Sequence, residues 1–387
     1  LHAQQQIQLI ARFCEHLTDG STDSAAWNLR VPAAHYIDQN QALRETDLLF
    51  QHRPLLVALT PDLPAPGDYV THEAGDTPLL LVRDDAGRAR AYINACRHRG
   101  VRIAEGRGHA RSFSCPFHAW NWRRDGTLAG RPNSNGGFDA AGGLCDRLWE
   151  RECLEIAGMI FVLLEGGGLE QKVRSMLGDA LADIENYRIG NTVYFDSRVA
   201  ERNCNYKFIV DGFCESYHIA ALHKDTLSPY YYNTPGLCDQ LGETVRMIGV
   251  RRSIDKEFSK PRQDRRLLQH GTTQYIMAPN VILTYQVDHI QFWRIYPLNG
   301  ADRCRIEFSL YWPQPMDEAA ERKSRFNVDV IWKVLTEEDF PQSLAIHRNL
   351  VSGAVPELIF GRNEPALIHY HEILEAVIGT DLLTRVN

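Results

Sequence analysis

The chain has 387 residues, a hydrophobic content of 44% and a formal net charge of −7. That length and apolar content predict two or three domains, each able to bury a core. The charge excludes nucleic acid as a partner, because phosphate binding needs a basic face and no long lysine or arginine run supplies one.

In chain order, residues 4–17 carry Ile7, Ile10, Ala11 and Cys14 at the spacing of an amphipathic helix. The first ten residues are too polar for the apolar core of a signal peptide, and no run of about 18 apolar residues follows. Nine scattered cysteines, from Cys14 through Cys145 to Cys304, lack a disulfide-like rhythm and fit a reducing setting. The expectation is a soluble, cytoplasmic chain with no membrane partner. Because the sequence does not begin with Met, a targeting segment ahead of Leu1 stays open.

A Pro-rich piece, Pro61-Asp62-Leu63-Pro64-Ala65-Pro66-Gly67-Asp68, marks entry to a new unit. Short strands at 78–82 and 90–93 flank Asp84-Asp85-Ala86-Gly87, a hairpin signal. Strand residues 113–115 and 119–122 bracket a second loop, and Asp125-Gly126 turns the chain again. Two loops at hairpin tips, held by a rigid β scaffold, are therefore expected to face each other. The apolar run 158–164 reads as a closing strand, and Gly166-Gly167-Gly168 reads as a hinge that ends the small β domain near Glu165.

Residues 169–187 read as a helix, and from Val193 to Pro313 strands alternate with turns. A long helical stretch at 316–338 is entered through Pro315 and Asp317, and further helical patterns cover 340–350 and 367–378. The fold class is α+β. No G-x-G-x-x-G follows a strand and no G-x-x-x-x-G-K occurs, so the chain carries no fingerprint for its own nicotinamide or flavin. Electrons for any redox chemistry would come from another protein.

The two loops carry the most telling residues. Asn94-Ala95-Cys96-Arg97-His98-Arg99-Gly100 is followed by Cys115-Pro116-Phe117-His118. Zinc sites usually pair Cys with Cys and His with His, whereas here each pair is mixed. A [2Fe–2S] cluster with two histidines on one iron needs one ligand of each kind from each loop. At this point the sequence resembles the Rieske non-haem iron oxygenases, the alpha (terminal oxygenase) subunit of the aromatic-ring-hydroxylating type. The resemblance implies Cys96, His98, Cys115 and His118 as cluster ligands. A zinc-stapled binding module or a pure Rieske electron carrier are the non-enzyme alternatives.

In the larger domain Asp211, Glu215 and His218 fall at i, i+4 and i+7, so on one helix two carboxylates and an imidazole would share a face. His223 lies about 140° round from His218 on a regular helix, so both meet one metal only if the helix ends or bulges between them. The sequence E-x-x-H-x-x-x-x-H is similar to the mononuclear iron motif of the same family. It implies His218 and His223 as iron ligands and Glu215 as the bridging carboxylate that links the cluster of one subunit to the iron of its neighbour. Glu at that place is the pattern of the quaternary-ammonium oxygenases; most aromatic-ring dioxygenases have Asp. Asp211 is a further catalytic candidate, an acceptor orienting a histidine or else a solvated helix residue. Two histidines and one carboxylate make the facial triad of Fe(II) oxygenases. The third ligand belongs to Glu337-Glu338-Asp339: helical periodicity from Val334 and Leu335 rejects Glu337 and leaves Glu338 and Asp339 open, and the resemblance implies Asp339.

The resemblance implies a Rieske β-sandwich domain placed before a larger helix-grip catalytic domain. The divisions expected are 1–44 as a helical segment on the catalytic domain, 45–165 as the Rieske [2Fe–2S] domain and 166–387 as the mononuclear Fe(II) domain. It also implies a terminal oxygenase using O₂ and electrons from an NAD(P)H-dependent reductase, directly or through a ferredoxin, in a homotrimer or an alpha3beta3 assembly. Hydroxylation of an aromatic or other small organic substrate is the main expectation, as mono- or dioxygenation. N- or O-demethylation of a methylated or quaternary ammonium substrate is the alternative. For that case Tyr230-Tyr231-Tyr232 and Trp293 would form a cation–π cage, or else serve as core and strand residues.

Overall fold

A computed structural model describes residues 1–134, 137–138, 146–313 and 316–386. Cys145 and Pro315 lie outside the described residues. The chain forms two compact units, Phe50–Val173 on one hand and Leu1–Leu49 with Arg174–Asn387 on the other. The glycine hinge therefore sits inside the smaller unit, because the residues after it remain tied there: Leu169 N–H donates to Glu152 Oε2 and Lys172 Nζ to the His52 carbonyl.

The smaller unit is a seven-stranded sheet with a separate three-stranded sheet. In the large sheet Thr77–Arg83 pairs antiparallel with Ala89–Ile93, in register Leu79 with Ile93, as the hairpin signal predicts. The three-stranded sheet is Ser112–Ser114, Asn121–Arg123 and Leu128–Gly130. Only the second of the two loops is thus a hairpin tip. The first leaves Ala89–Ile93 and runs to Arg107–His109, which pairs with Asp68–Ala74 instead of returning beside its own strand. Asn94 replaces the missing hairpin: its buried amide bonds the Ala104 carbonyl and the N–H groups of Ile103 and Ala104, closing the base of the loop.

The larger unit is built on a seven-stranded antiparallel sheet. Its order is Thr192–Arg202, Cys304–Pro313, His289–Pro297, Val281–Gln286, Gly271–Met277, Thr244–Val250 and Leu237–Leu241. The last six strands in sequence follow one another across the sheet as a meander, so only the segment between Thr192–Arg202 and Leu237–Leu241 must cross from one edge to the other. That crossing segment carries the helix Tyr206–Phe213 and both histidines of the second motif.

Elsewhere the expected helices form with instructive differences. Ala3–Asp19 is capped by a reciprocal His2–Gln5 box, and it buries Gln6, Leu9, Ile10 and Phe13, a face displaced from the Ile7–Cys14 stripe. The stretch 169–187 divides into Leu169–Leu177 and Ala180–Glu185 at Gly178, which has φ +48 and packs its Cα against the Gly242 backbone so closely that a Cβ would lie 2.9 Å from the Leu241 carbonyl. Glu318–Val334 starts at Asp317, whose side chain accepts from the Ala320 N–H. It then passes through a π-helical turn, Leu335–Asp339, into Phe340–Val351. Pro341 explains the turn, since it has no N–H to give the carbonyl four residues back. No helix among the described residues is long and apolar enough to cross a membrane.

The N-terminal segment fixes the helix that precedes the second motif. Asn205 caps it, accepting from Lys207 N–H and donating to the Tyr36 carbonyl. Lys207 pairs with Glu45, both side chains 1% exposed. Burial pulls the ammonium below its ordinary pKa although Glu45 opposes the shift. Lys207→Met is expected to cost about 3–5 kcal/mol in denaturant unfolding, because Glu45 keeps the Gln41 amide but loses its ammonium counter-charge in the core. Restoring much of that loss with a second change, Glu45→Gln, would identify the orphaned charge as the cause; an unchanged midpoint in Lys207→Met would refute it.

Candidate metal centres

The helix Tyr206–Phe213 stops before Glu215, and a short 3₁₀ turn, Tyr217–Ala220, follows. The expected helical face shared by Asp211, Glu215 and His218 therefore does not form. What replaces it is a bent segment that brings His218 and His223 together. His218 N–H donates to Glu215 Oε2 at 3.0 Å, and Glu215 Oε1 meets His218 Nδ1 in a very short contact. His223 Nδ1 bonds Glu338 Oε2 at 2.5 Å, and Thr226 Oγ1 steadies the same oxygen at 2.9 Å.

Those two glutamates decide the state of both rings. A carboxylate only accepts, so each Nδ1 carries a proton, and in the neutral ring each Nε2 is the nitrogen left to present a lone pair to a metal. The two Nε2 atoms lie 3.1 Å apart, and Asp339 Oδ1 lies 3.6 Å from one and 3.2 Å from the other. Ligand atoms of His218, His223 and Asp339 all fall within 4.8 Å of one another. Asp339 Oδ2 is buried without a hydrogen-bond partner. This donor set, with an orphaned carboxylate oxygen beside it, fits a cation between the three residues, and two imidazoles with one carboxylate suit iron(II). His223 answers the same field: burial lowers its pKa, yet Asp339 and Glu338 outweigh burial and raise it.

The π-helical turn sends the three neighbouring acids in different directions. Glu337 points out toward Lys333, Asp339 points at both Nε2 atoms, and Glu338 takes the opposite side of the His223 ring. Asp211 is engaged elsewhere. Its oxygens accept from Tyr36 Oη at 2.7 Å and pair with His371 Nε2 at 2.9 Å, so the histidine it orients is not one of the converging pair. Burial, with Glu215 and Asp211 nearby, raises the pKa of Glu364 on the same groove.

In the smaller unit the two loops share one closure. Cys96 N–H donates to the Val101 carbonyl and its own carbonyl accepts from Gly100; Cys115 does the same with Trp120 and Ala119. Gly100 and Ala119 both adopt positive φ, +76 and +55, which lets each loop turn back on its cysteine. The glycine is readable in the sequence; the strained alanine is not. Cys96 and Cys115 are buried, and burial pushes the Cys96 thiol up. The His98 and His118 rings lie 4.7 Å apart, with His98 stacked on Trp120 at 4.9 Å. His98 Nδ1 is buried and unpartnered. Two buried thiols, and an imidazole nitrogen with no other acceptor or donor, fit a cluster bridging the loops.

A cavity of about 150 Å³ opens beside the histidine–aspartate group, lined by Phe213, Ile219, Leu227 and Val334 on one side and by sheet residues on the other. Tyr231 and Tyr232 reach it. Tyr230 is exposed, and Trp293 is fully buried, stacked on Phe308 at 4.2 Å, so the four-aromatic cage does not assemble.

Residues 185–380, about half of the chain, match the model of the ring hydroxylating alpha subunit (catalytic domain), and residues 53–141 match the Rieske [2Fe–2S] domain. The glycine betaine monooxygenase oxygenase subunit of Chromohalobacter salexigens is 30% identical over 201 residues, 51% of this chain and 44% of that one. The carnitine monooxygenase oxygenase subunit of Escherichia coli (strain K12) is 28% identical over 261 residues, covering 64% and 63%. The chain thus spans between two fifths and two thirds of the length of these curated relatives. A crystal structure of the quaternary ammonium Rieske monooxygenase CntA in complex with an inhibitor superposes with a TM-score of 0.78 at 19% identity, over 92% of this chain and 96% of that one.

Proposed function

Since the chain belongs to the ring-hydroxylating alpha-subunit family and carries a Rieske [2Fe–2S] domain ahead of its catalytic domain, we propose that it is the terminal oxygenase component of a Rieske non-haem iron system. The two domains imply one Rieske cluster and one mononuclear iron. Cys96, His98, Cys115 and His118 are the residues to hold the first, and His218, His223 and Asp339 the second. When bound, the cluster supplies single electrons and the iron supplies open positions for O₂.

The reaction balances as R–H with O₂, two electrons and two protons giving R–OH and water. Electrons come from an external NAD(P)H-dependent reductase, directly or through a ferredoxin, and the working assembly is a trimer. Around that chemistry the chain's own residues act on orientation and protons. Glu338, steadied by Thr226, and Glu215 each hold an Nδ1 proton, which fixes both rings and raises the donor strength of each Nε2. Phe213, Ile219, Leu227 and Val334 keep bulk water from the cavity. Demethylation is the same oxidation at a methyl carbon beside a heteroatom, and the names of the relatives support it as the second reading.

The observation that carries this reading is the convergence of two Nε2 atoms and Asp339 Oδ1, with the far nitrogen of each ring on its own glutamate. Glu215→Gln tests the electron route proposed through that glutamate. Both metals should stay at full occupancy while coupled turnover falls by about 10- to 100-fold, the usual cost of losing a carboxylate behind a ligand histidine. Near-normal turnover with both metals present would reject the role.

A further inference from the structure

The cavity beside the histidine–aspartate group has one wall of uncharged hydrogen-bonding side chains, and its chemistry selects among substrates. On adjacent strands Gln274 pairs with Thr284 and Thr284 with Gln291, so these three form one row across the sheet. Two residues along, Thr272, Gln286 and His289 form the next row on the same face. Gln274, Gln286, Gln291 and Thr272 line the cavity. Thr284, between two of them, is 1% exposed and its Oγ1 has no hydrogen-bond partner.

The neighbours fix which way two of the amides present. Arg251 Nη2 donates at 2.7 Å to the Gln286 carbonyl oxygen, which also accepts from Thr272 Oγ1 at 2.8 Å. An arginine cannot accept, so the capacity left to Gln286 is its NH₂, a donor. For Gln291 the polarity is reversed. Asp288 holds His289 Nδ1 at 2.7 Å, which leaves His289 Nε2 as an acceptor, and Gln291 Nε2 donates to it at 3.1 Å. The capacity left to Gln291 is chiefly its carbonyl oxygen. A donor and an acceptor are thus set in place before any ligand arrives, with an unsatisfied hydroxyl in the same rows.

Charge points the same way. Among the described residues, the charged groups lining the cavity are those of the proposed iron site, Glu215, His218, His223 and Asp339, with no lysine or arginine. Both tyrosines that line it already have a cation of the chain itself near the ring, Arg251 at 5.5 Å from Tyr231 and Arg252 at 5.1 Å from Tyr232. A second cation brought to these rings would meet repulsion from the first.

Resting on the oxygenase reading, we propose that the substrate is uncharged and presents a group that both donates and accepts a hydrogen bond, of carboxamide or hydroxyl type, to Gln286 and Gln291, with its oxidisable carbon toward His218, His223 and Asp339. Quaternary ammonium compounds and carboxylates are disfavoured on this account, although the relatives' names point to the former.

Four probes of one shape test it by calorimetric binding to the metal-loaded protein: p-toluamide, p-toluate, p-tolyltrimethylammonium and p-xylene. The amide is expected to bind at least about tenfold tighter than each of the others, the worth of one well-placed neutral hydrogen bond. Gln286→Glu keeps the acceptor that Arg251 and Thr272 require while removing the donor, so it should fold; amide binding should weaken about tenfold and the ammonium should gain. Gln291→Leu should weaken the amide similarly and leave p-xylene unchanged. The proposal is overturned if the carboxylate or the ammonium matches or exceeds the amide, if no probe binds, or if both variants weaken all four probes alike. Binding needs no turnover. An amide that binds as stated but gives no O₂-dependent product with reductase would instead count against the oxygenase reading alone.

Discussion

Asp339→Ala is expected to empty the mononuclear site and reduce oxygenation to background while the cluster absorbance stays intact. Among the described residues, Asp339 Oδ1 is the carboxylate oxygen that meets both Nε2 atoms, at 3.6 and 3.2 Å. Without it two imidazoles alone remain, too few ligands to fix iron(II) in an open triad. The same change removes a buried oxygen that has no partner, so the metal-free variant should melt no lower than the metal-free parent. Glu338→Ala should behave differently. It leaves all three ligand atoms but frees the His223 ring, and metal affinity should fall by about 10- to 100-fold without vanishing. Glu337, exposed and facing Lys333, should tolerate Ala within about 0.5 kcal/mol. Iron analysis on the three purified variants, with cluster absorbance as the control, separates these outcomes. Retained iron in Asp339→Ala with loss in Glu338→Ala would move the ligand by one residue.

Cys115→Ser is expected to abolish the visible and EPR signature of the cluster together with all turnover. Cys115 is 3% exposed, and its loop is held by Trp120 and Ala119 whether or not metal is bound, so the serine hydroxyl will occupy the thiol's place. A hydroxyl there is a poor ligand for iron that sulfur holds well. The mononuclear iron should remain, because His218, His223 and Asp339 belong to the other compact unit. Loss of both metals would indicate misfolding; a full cluster spectrum would sink the assignment of this loop.

Both metal motifs were legible because their information is local. One residue separates Cys96 from His98 and four separate His218 from His223, and the covalent chain alone keeps such pairs near each other. The requirement that the helix end between the motif residues was also legible, since a regular helix turns His223 away from His218. Where it ends was not. Nothing in the residues 206–218 marks Phe213 as the last helical position, and the bend is held by Glu215 taking the His218 N–H.

The third ligand shows the limit of periodicity. A regular helix through 318–351 gives Glu338 and Asp339 equal claims, but the π-helical turn at Leu335–Asp339 changes the angle between them and sends them to opposite sides of one imidazole. Trp293 shows another. Its strand packs it on Phe308, a partner chosen by sheet register, so an aromatic that read as a cage wall became core.

By itself, then, the sequence determined the two metal chemistries, the order of the domains and the class of fold, because ligand type and short spacing are properties of the chain before it folds. Only the tertiary structure decided which acid faces both Nε2 atoms, which glutamate meets the His223 ring, what Asp211 orients and which side chains line the cavity. Those depend on residues more than a hundred positions apart, such as His223 and Glu338, or on the pairing of Gln274, Thr284 and Gln291 across three strands. Their distances are set by register and packing, which no local pattern encodes.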